Sequence, residues 1–223
     1  MQIASSVALV TGANRGLGRA FTEALLERGA AKVYATARRP ETVDIPGVEV
    51  LPLDITDPAS VAAAAEAAPD VTLLVNNAGI STGQSLLTGD LAEIRREMEV
   101  HFFGTLAVTR AFAARLDGLV NVLSALSWFS FPGATSYAAA KAAEWSLTNG
   151  LRLELPDTLV TGVHLGTADT DMTKDVVGFP KLAPAELARI VLDGVEAGEI
   201  EILADEWSVM VKKALQEPGV FVP

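Results

Sequence analysis

Short apolar runs alternate with longer amphipathic stretches along this chain, and that rhythm leaves few folds open. The runs fall at 7–12, 32–37, 48–54, 71–77, 119–124, 159–165 and 200–205. Between them lie helix-compatible stretches at 16–28, 58–68, 91–116, 137–154 and 184–196, with a last one at 206–215. Several runs are apolar nearly throughout, as strands are when helices cover both faces of a parallel sheet. The expected fold is therefore α/β: a doubly wound, mainly parallel seven-stranded sheet of the Rossmann type, with helices on both faces. Punctuation agrees, with Asp57 before Pro58 as an N-cap and a Pro at N1, Gly29 after the first helix and Pro156 after the long one. At 223 residues the chain suits a single domain spanning 1–223.

Composition removes several classes of function. A net charge of −11 works against nucleic-acid binding, because phosphate contacts need a basic face. No apolar run approaches the roughly 18 residues that a membrane span requires. The opening "MQIASSVALVTGA" has no basic flank and reads as a first strand, not a signal peptide. Without cysteine there is no disulfide or thiolate chemistry, which is compatible with a cytoplasmic setting. Two histidines far apart make no metal-ligand cluster, so no metal is expected.

Between the first run and the first helix, "VALVTGANRGLGRAF" places Gly12, Gly16 and Gly18. Glycines there permit a tight turn and let a pyrophosphate approach backbone N–H groups at the positive helix N-terminus. The spacing is G-x-x-x-G-x-G, not G-x-G-x-x-G, and an ordinary strand-to-helix turn is the bland alternative. Ligands of such folds lie beyond the carboxyl ends of the strands. The second strand ends in Arg38 and Arg39, where an acidic residue would hold ribose hydroxyls, and Arg15 sits within the glycine loop. Guanidinium groups suit a phosphate, which favours NADP(H) over NAD. Asp54 and the "NNAG" at 76–79 fall where adenosine contacts belong, although Asp54 serves equally well as a turn residue.

"SYAAAKAAEWS", at 136–146, places Tyr137 and Lys141 four apart, on one face of a helix. Free tyrosine is a poor acid at neutral pH, with a pKa near 10, and a nearby ammonium favours the phenolate. The pair reads as a proton donor and its tuner, against the alternative of a packed phenol and a solvated lysine. Ser124 ends the fifth strand at the same edge of the sheet, where a hydroxyl can hold a carbonyl oxygen. Ser127 and Ser130 are nearby alternatives beyond the strand end.

With "TGANRGLG", "NNAG", Ser124, "YAAAK" and "VHLGTADTDM" in this order and spacing, the chain resembles the short-chain dehydrogenase/reductase family over residues 7–172. The resemblance implies Tyr137 as acid-base catalyst, Lys141 as binder of the nicotinamide ribose that lowers the phenol's pKa, and Ser124 as orienter of the substrate carbonyl. It places Gly12, Asn14, Arg15, Gly16, Leu17 and Gly18 in the cofactor loop, with Asn77, Ala78 and Gly79 beside it. It implies hydride exchange between a nicotinamide and a carbonyl or alcohol carbon. Two departures stand out. "EVHFFGT" carries His101 where the family has an asparagine that holds a relay water; His101 either shuttles protons itself or packs as a neutral residue. The usual Pro-Gly after the sixth strand is Leu165–Gly166, leaving Gly166, Thr167 and Thr170 as candidate nicotinamide and phosphate contacts.

Residues 171–183 form at most a short substrate lid, with Met172, Val176, Val177, Phe179 and Trp128 or Phe129 as its apolar walls. The expected activity is reversible reduction of an aldehyde or ketone. A catalytically weak NADP(H) sensor or scaffold, and an epimerase or dehydratase on the same site, are the competing readings. Small residues at Ala138, Ala139, Ala142 and Ala143 permit close helix packing, and the resemblance implies a homodimer or homotetramer.

Overall fold

The computed structural model describes residues 1–217; residues 218–223, the tail of the span assigned to the domain, lie outside the described residues. Seven strands form one parallel sheet: β1 (Val7–Thr11), β2 (Lys32–Ala37), β3 (Glu49–Pro52), β4 (Leu73–Asn76), β5 (Gly118–Val122), β6 (Leu159–His164) and β9 (Glu201–Leu203). Their order is β3-β2-β1-β4-β5-β6-β9. The chain winds outward from β1 to β3, then returns to add β4 on the other side of β1. The resulting crevice beside β1 and β4 is where doubly wound sheets take ligands.

Both faces of the sheet are covered, which explains why its strands are apolar on both sides. On one face α1 (Gly16–Glu27) and α6 (Pro184–Ala197) enclose a core that includes Phe21, Leu25, Leu187 and Val191. On the other, α2 (Pro58–Ala67), α4 (Thr105–Phe112) and α5 (Thr135–Glu154) contribute Val61, Val108, Phe112 and Leu151 to a second core. Asp57 caps α2 as expected, its side chain accepting from the Ala59 N–H at 3.0 Å. A short α7 (Glu206–Ala214) closes the chain behind an Asp205–Ser208 capping box.

Two regions differ from the sequence reading. The helix expected at 91–116 is interrupted: α3 (Leu91–Met98) runs into a π-helical turn over Glu99–Gly104 before α4, and a 3₁₀ turn follows at Ala113–Arg115. Buried Glu97, His101, Thr105, Val108 and Phe112 keep helical spacing through the interruption, so periodicity gives no sign of the inserted residue. The second difference lies in the segment read as a lid, where β7 (Thr167–Ala168) and β8 (Lys181–Leu182) form a small parallel pair. Two-residue strands carry too little pattern to show in a sequence.

Candidate active site

The glycine turn is held by the end of β4. The Thr11 hydroxyl accepts from the backbone N–H groups of Asn77 and Ala78, at 2.9 and 3.0 Å. The Asn77 amide in return donates to the carbonyls of Thr11 and Gly12, at 3.0 and 3.3 Å. Gly12 and Gly16 take positive φ, 68° and 54°. Gly18 is glycine for a different reason: a Cβ there would lie 2.1 Å from the Gly12 carbonyl oxygen and 2.5 Å from the Asn77 amide nitrogen. Arg15, the residue before α1, makes no side-chain cap, which leaves the first N–H groups of that helix facing outward. This is a bare backbone cradle at a positive helix end, and it fits a dinucleotide pyrophosphate.

The turn opens on a cleft of about 340 Å³ along the carboxyl ends of the strands. The residues read above as cofactor-binding line it, with the exception of Arg39, Asn76 and Thr167. At the adenosine end Arg38 projects from the end of β2 and is exposed. Asp54 accepts from the N–H and hydroxyl of Thr56, at 3.0 and 2.7 Å. Burial pushes its carboxyl up, but Thr56 and the Arg38 charge outweigh it and hold it below the ordinary value. Asp54 is thus the turn clamp that its sequence position allowed, and it faces the cleft as well. Asn14 lines the turn while donating to Thr42 at 3.1 Å. Arg15 reaches across the mouth to Asp171 at 3.1 Å, both side chains largely exposed.

At the other end the structure brings Ser124, Tyr137, Lys141 and His101 together. Ser124 follows β5 and starts a 3₁₀ turn, Ala125–Ser127, as a capping box with Ser127. That box occupies the Ser127 hydroxyl, and Ser130 is exposed, so Ser124 is the serine directed at the phenol. The position of Ser124 is braced from below. His164 on β6 is fully buried, and its Nδ1–H donates to the Ser124 carbonyl at 3.1 Å. Burial lowers the His164 pKa to about 4, so the ring is neutral near neutral pH and keeps that donor. Trp128 stacks on His164, centroids 3.8 Å apart, with Lys212 4.7 Å above the indole. Trp128 is therefore part of this brace. Phe179 instead meets Phe131 and Trp207, with centroids 5.7 and 5.5 Å away, while Phe129 lies 6.4 Å from Trp207. Met172 lines the cleft, and Val177 is exposed.

Lys141 is buried, donating to the Val122 carbonyl and to Glu144, each at 2.7 Å. Its ammonium stands 5.9 Å from the Tyr137 ring centre. Lys141 does pull the phenol down, as expected, but it does not act alone. Burial pushes Tyr137 up, Lys141 pulls it down, Glu144 opposes that pull, and the phenol ends above its ordinary value. His101 meets the tyrosine ring edge-on at 5.3 Å, and its Nε2 lies 2.7 Å from the Ile80 carbonyl. Gly79 makes room for that ring: a Cβ there would come within 2.8 Å of His101 Cε1.

Three buried residues here, Glu144, Glu97 and Asn121, were absent from the sequence reading. Glu144 sits between Lys141 and His101. Glu97 on α3 accepts from the N–H and hydroxyl of Thr82, at 2.6 and 2.9 Å. Asn76 and Asn121 join across neighbouring strands at 2.9 Å, and Asn121 donates on to Thr148 at 2.9 Å. A carboxylate three residues after a lysine on an alanine-rich helix was the one signal available for Glu144; nothing in the chain predicts the contacts of the others.

A doubly wound sheet, a glycine cradle beside its crevice and a Ser–Tyr–Lys wall define a dinucleotide-binding oxidoreductase. The family model for short chain dehydrogenases matches residues 6–179, and the chain belongs to the short-chain dehydrogenase/reductase family. It is 35% identical over 191 residues to the 3-oxoacyl-(acyl-carrier-protein) reductase FabG of Vibrio cholerae, covering 78% of each chain. It is 31% identical over 188 residues to carbonyl reductase (NADPH) 2 of Sus scrofa, covering 79% of this chain and 77% of that one. A short chain dehydrogenase from Burkholderia cenocepacia, solved in complex with NADP, superimposes with a TM-score of 0.93 at 41% identity, over 98% of this chain and 95% of that one. Among the described residues no cluster suits a metal ion, and no helix is long and apolar enough to cross a membrane.

Proposed function

We propose that the protein is an NADP(H)-dependent reductase of aldehydes or ketones, reversible as an alcohol dehydrogenase. The observation that carries this reading is the convergence of Ser124, Tyr137 and Lys141 on one end of the glycine-cradled cleft. Bound NADPH would supply the hydride. Arg38, beside a cleft edge with no acidic residue at the end of β2, favours the phosphorylated cofactor. The Ser124 hydroxyl orients the carbonyl oxygen, and the Tyr137 phenol gives it a proton. The phenol is protonated at neutral pH, and the Lys141 ammonium, which favours its charged form, eases the departure of that proton. Residues 1–223 then act as one dinucleotide-binding domain. Its short lid at 171–183 is backed by Phe179, and an apolar wall of this kind suits a carbonyl compound of modest size. The partly exposed Ala139, Ala142 and Ala143 on α5 support a homodimer or homotetramer, and a cytoplasmic setting is the expected one.

The test is oxidation of NADPH and of NADH with benzaldehyde, cyclohexanone and ethyl acetoacetate, alongside Tyr137→Phe. Turnover with NADPH should fall at least about 100-fold in the variant, while NADPH binding persists. Unchanged turnover in Tyr137→Phe overturns the donor assignment. Binding without turnover on any carbonyl favours a sensor, and product formed without net cofactor change favours an epimerase.

A further inference from the structure

Glu144 is a charge in an expensive place. Its side chain is almost wholly buried, one helical turn beyond Lys141 and two beyond Tyr137 on α5. A carboxylate without solvent needs partners, and the structure supplies them from three elements. On α5, Lys141 Nζ donates to Glu144 Oε2 at 2.7 Å. From the π-helical turn, His101 Nδ1 stands 3.5 Å from the same oxygen. From α4, the Thr105 hydroxyl donates to Oε1 at 3.4 Å. The remaining ionisable groups nearby are the Tyr137 phenol and, from α3, Glu97, whose charge also bears on that phenol.

His101 closes the set. Its Nε2 lies 2.7 Å from the Ile80 carbonyl and 3.4 Å from the Ile80 N–H, so that nitrogen donates to the one or accepts from the other according to the ring's tautomer. Nδ1 faces a Glu144 carboxylate oxygen. Glu144 thus holds the Lys141 ammonium and faces the imidazole, while its own charge opposes ionisation of Tyr137. Burial lowers the Lys141 pKa; the carboxylate, with the phenol, outweighs it and keeps the amine above its ordinary value.

We propose that Glu144 is a positioning residue of the reaction, a buried carboxylate that ties Lys141 to His101 and so extends to higher pH the range over which Tyr137 can give a proton. The proposal rests on Tyr137 being the donor. Without the carboxylate, the Tyr137–Lys141 pair begins its deprotonation in a site poorer by one negative charge, so the first proton leaves at lower pH, whichever of the two groups loses it.

Two measurements on the full chain separate this inference from the reading beneath it. The first is the pH profile of NADPH-dependent reduction, using whichever of the three carbonyls named above is turned over. The alkaline limb in Glu144→Gln should move down by about one pH unit or more, with Glu144→Asp intermediate. A uniform loss of kcat with the limb unmoved would reduce Glu144 to a structural role and overturn the proposal. Glu144→Asp alone decides the point if the Gln variant does not fold: an unmoved limb in it overturns the proposal too. The second measurement needs no turnover. The chain has two tyrosines, Tyr34 and Tyr137, so in a Tyr34→Phe background the near-ultraviolet tyrosinate signal reports Tyr137 alone. Its midpoint should shift by about one unit or more when Glu144 becomes Gln or Asp, and an unchanged midpoint overturns the proposal. Absence of carbonyl reduction in the wild type would sink the proposed function, and this titration would still decide the coupling.

Discussion

The two ends of the cleft are built from different materials. At the pyrophosphate end the chain offers backbone: two glycines at positive φ, a third that no Cβ could replace, and N–H groups at the start of α1. At the proton-transfer end it offers buried side chains drawn from β5, β6, α3, the π-helical turn and α5. The first end depends on what is missing from the sequence, since a side chain would fill the space. The second depends on long-range company, since each ionisable group is tolerable only because another element brings its partner. A backbone cradle fails sterically; a charged cluster fails through its protonation.

That contrast can be broken at either end. The largest effect is expected from Gly18→Ala, where the added methyl meets the Gly12 backbone and cannot be relieved by a rotamer change. Overpacking of this kind costs on the order of 3 kcal/mol, so NADPH affinity measured by fluorescence titration should fall about 100-fold, with no dependence on pH. A loss smaller than tenfold would mean that the turn is softer than its geometry implies.

The side-chain end should answer to pH instead. His164 has a folded-state pKa of about 4, set mainly by burial, against an unfolded value near 6.5. As pH falls below 6.5 the unfolded chain takes up a proton that the folded protein refuses, so stability is lost, and the loss levels off below pH 4. Between pH 7.5 and 5 this amounts to about 2 kcal/mol. His164→Asn retains an N–H donor but cannot titrate, so urea unfolding at the two pH values should show a smaller difference in the variant. An equal difference would mean that another group carries the dependence.

The smallest effect belongs to the exposed rim. Arg38→Ala should weaken NADPH about tenfold and leave NADH nearly unchanged, as expected for one charge-assisted contact to a phosphate. Equal losses for both cofactors would move the phosphate contact elsewhere, with Arg39 the first alternative.

How much of this was legible in the sequence follows the same division. The strand rhythm and the glycine turn showed in one dimension because backbone geometry is written locally: apolar runs, glycine spacing, Asp57 before Pro58. Tyr137 and Lys141 showed because four residues on a helix is a fixed distance. Glu144 lies three residues beyond Lys141 and was equally close, but a glutamate on a helix is ordinary until His101, 43 positions earlier in the chain, is seen against it. The stacking of Trp128 on His164 was not legible, because aromatic residues signal burial without saying against what. Nor was the β7–β8 pair, since two-residue strands show no pattern.

The π-helical turn at Glu99–Gly104 carries one more consequence, which concerns length and not identity. A π-helical turn holds one residue more than the α-helical turn it replaces, so deleting a single position in that stretch would let the helix wind regularly with its two flanks still in phase, at the expense of the side chains that the wider turn presents. His101 would lose Ile80 and Glu144, or Gly104 would lose the shallow seat against Ile55, where a Cβ would sit at 2.9 Å. Point substitutions sample this helix one side chain at a time, whereas a deletion would re-aim several at once. The segment is locally irregular to a purpose: its wider turn presents His101 to the tyrosine ring and Gly104 to Ile55.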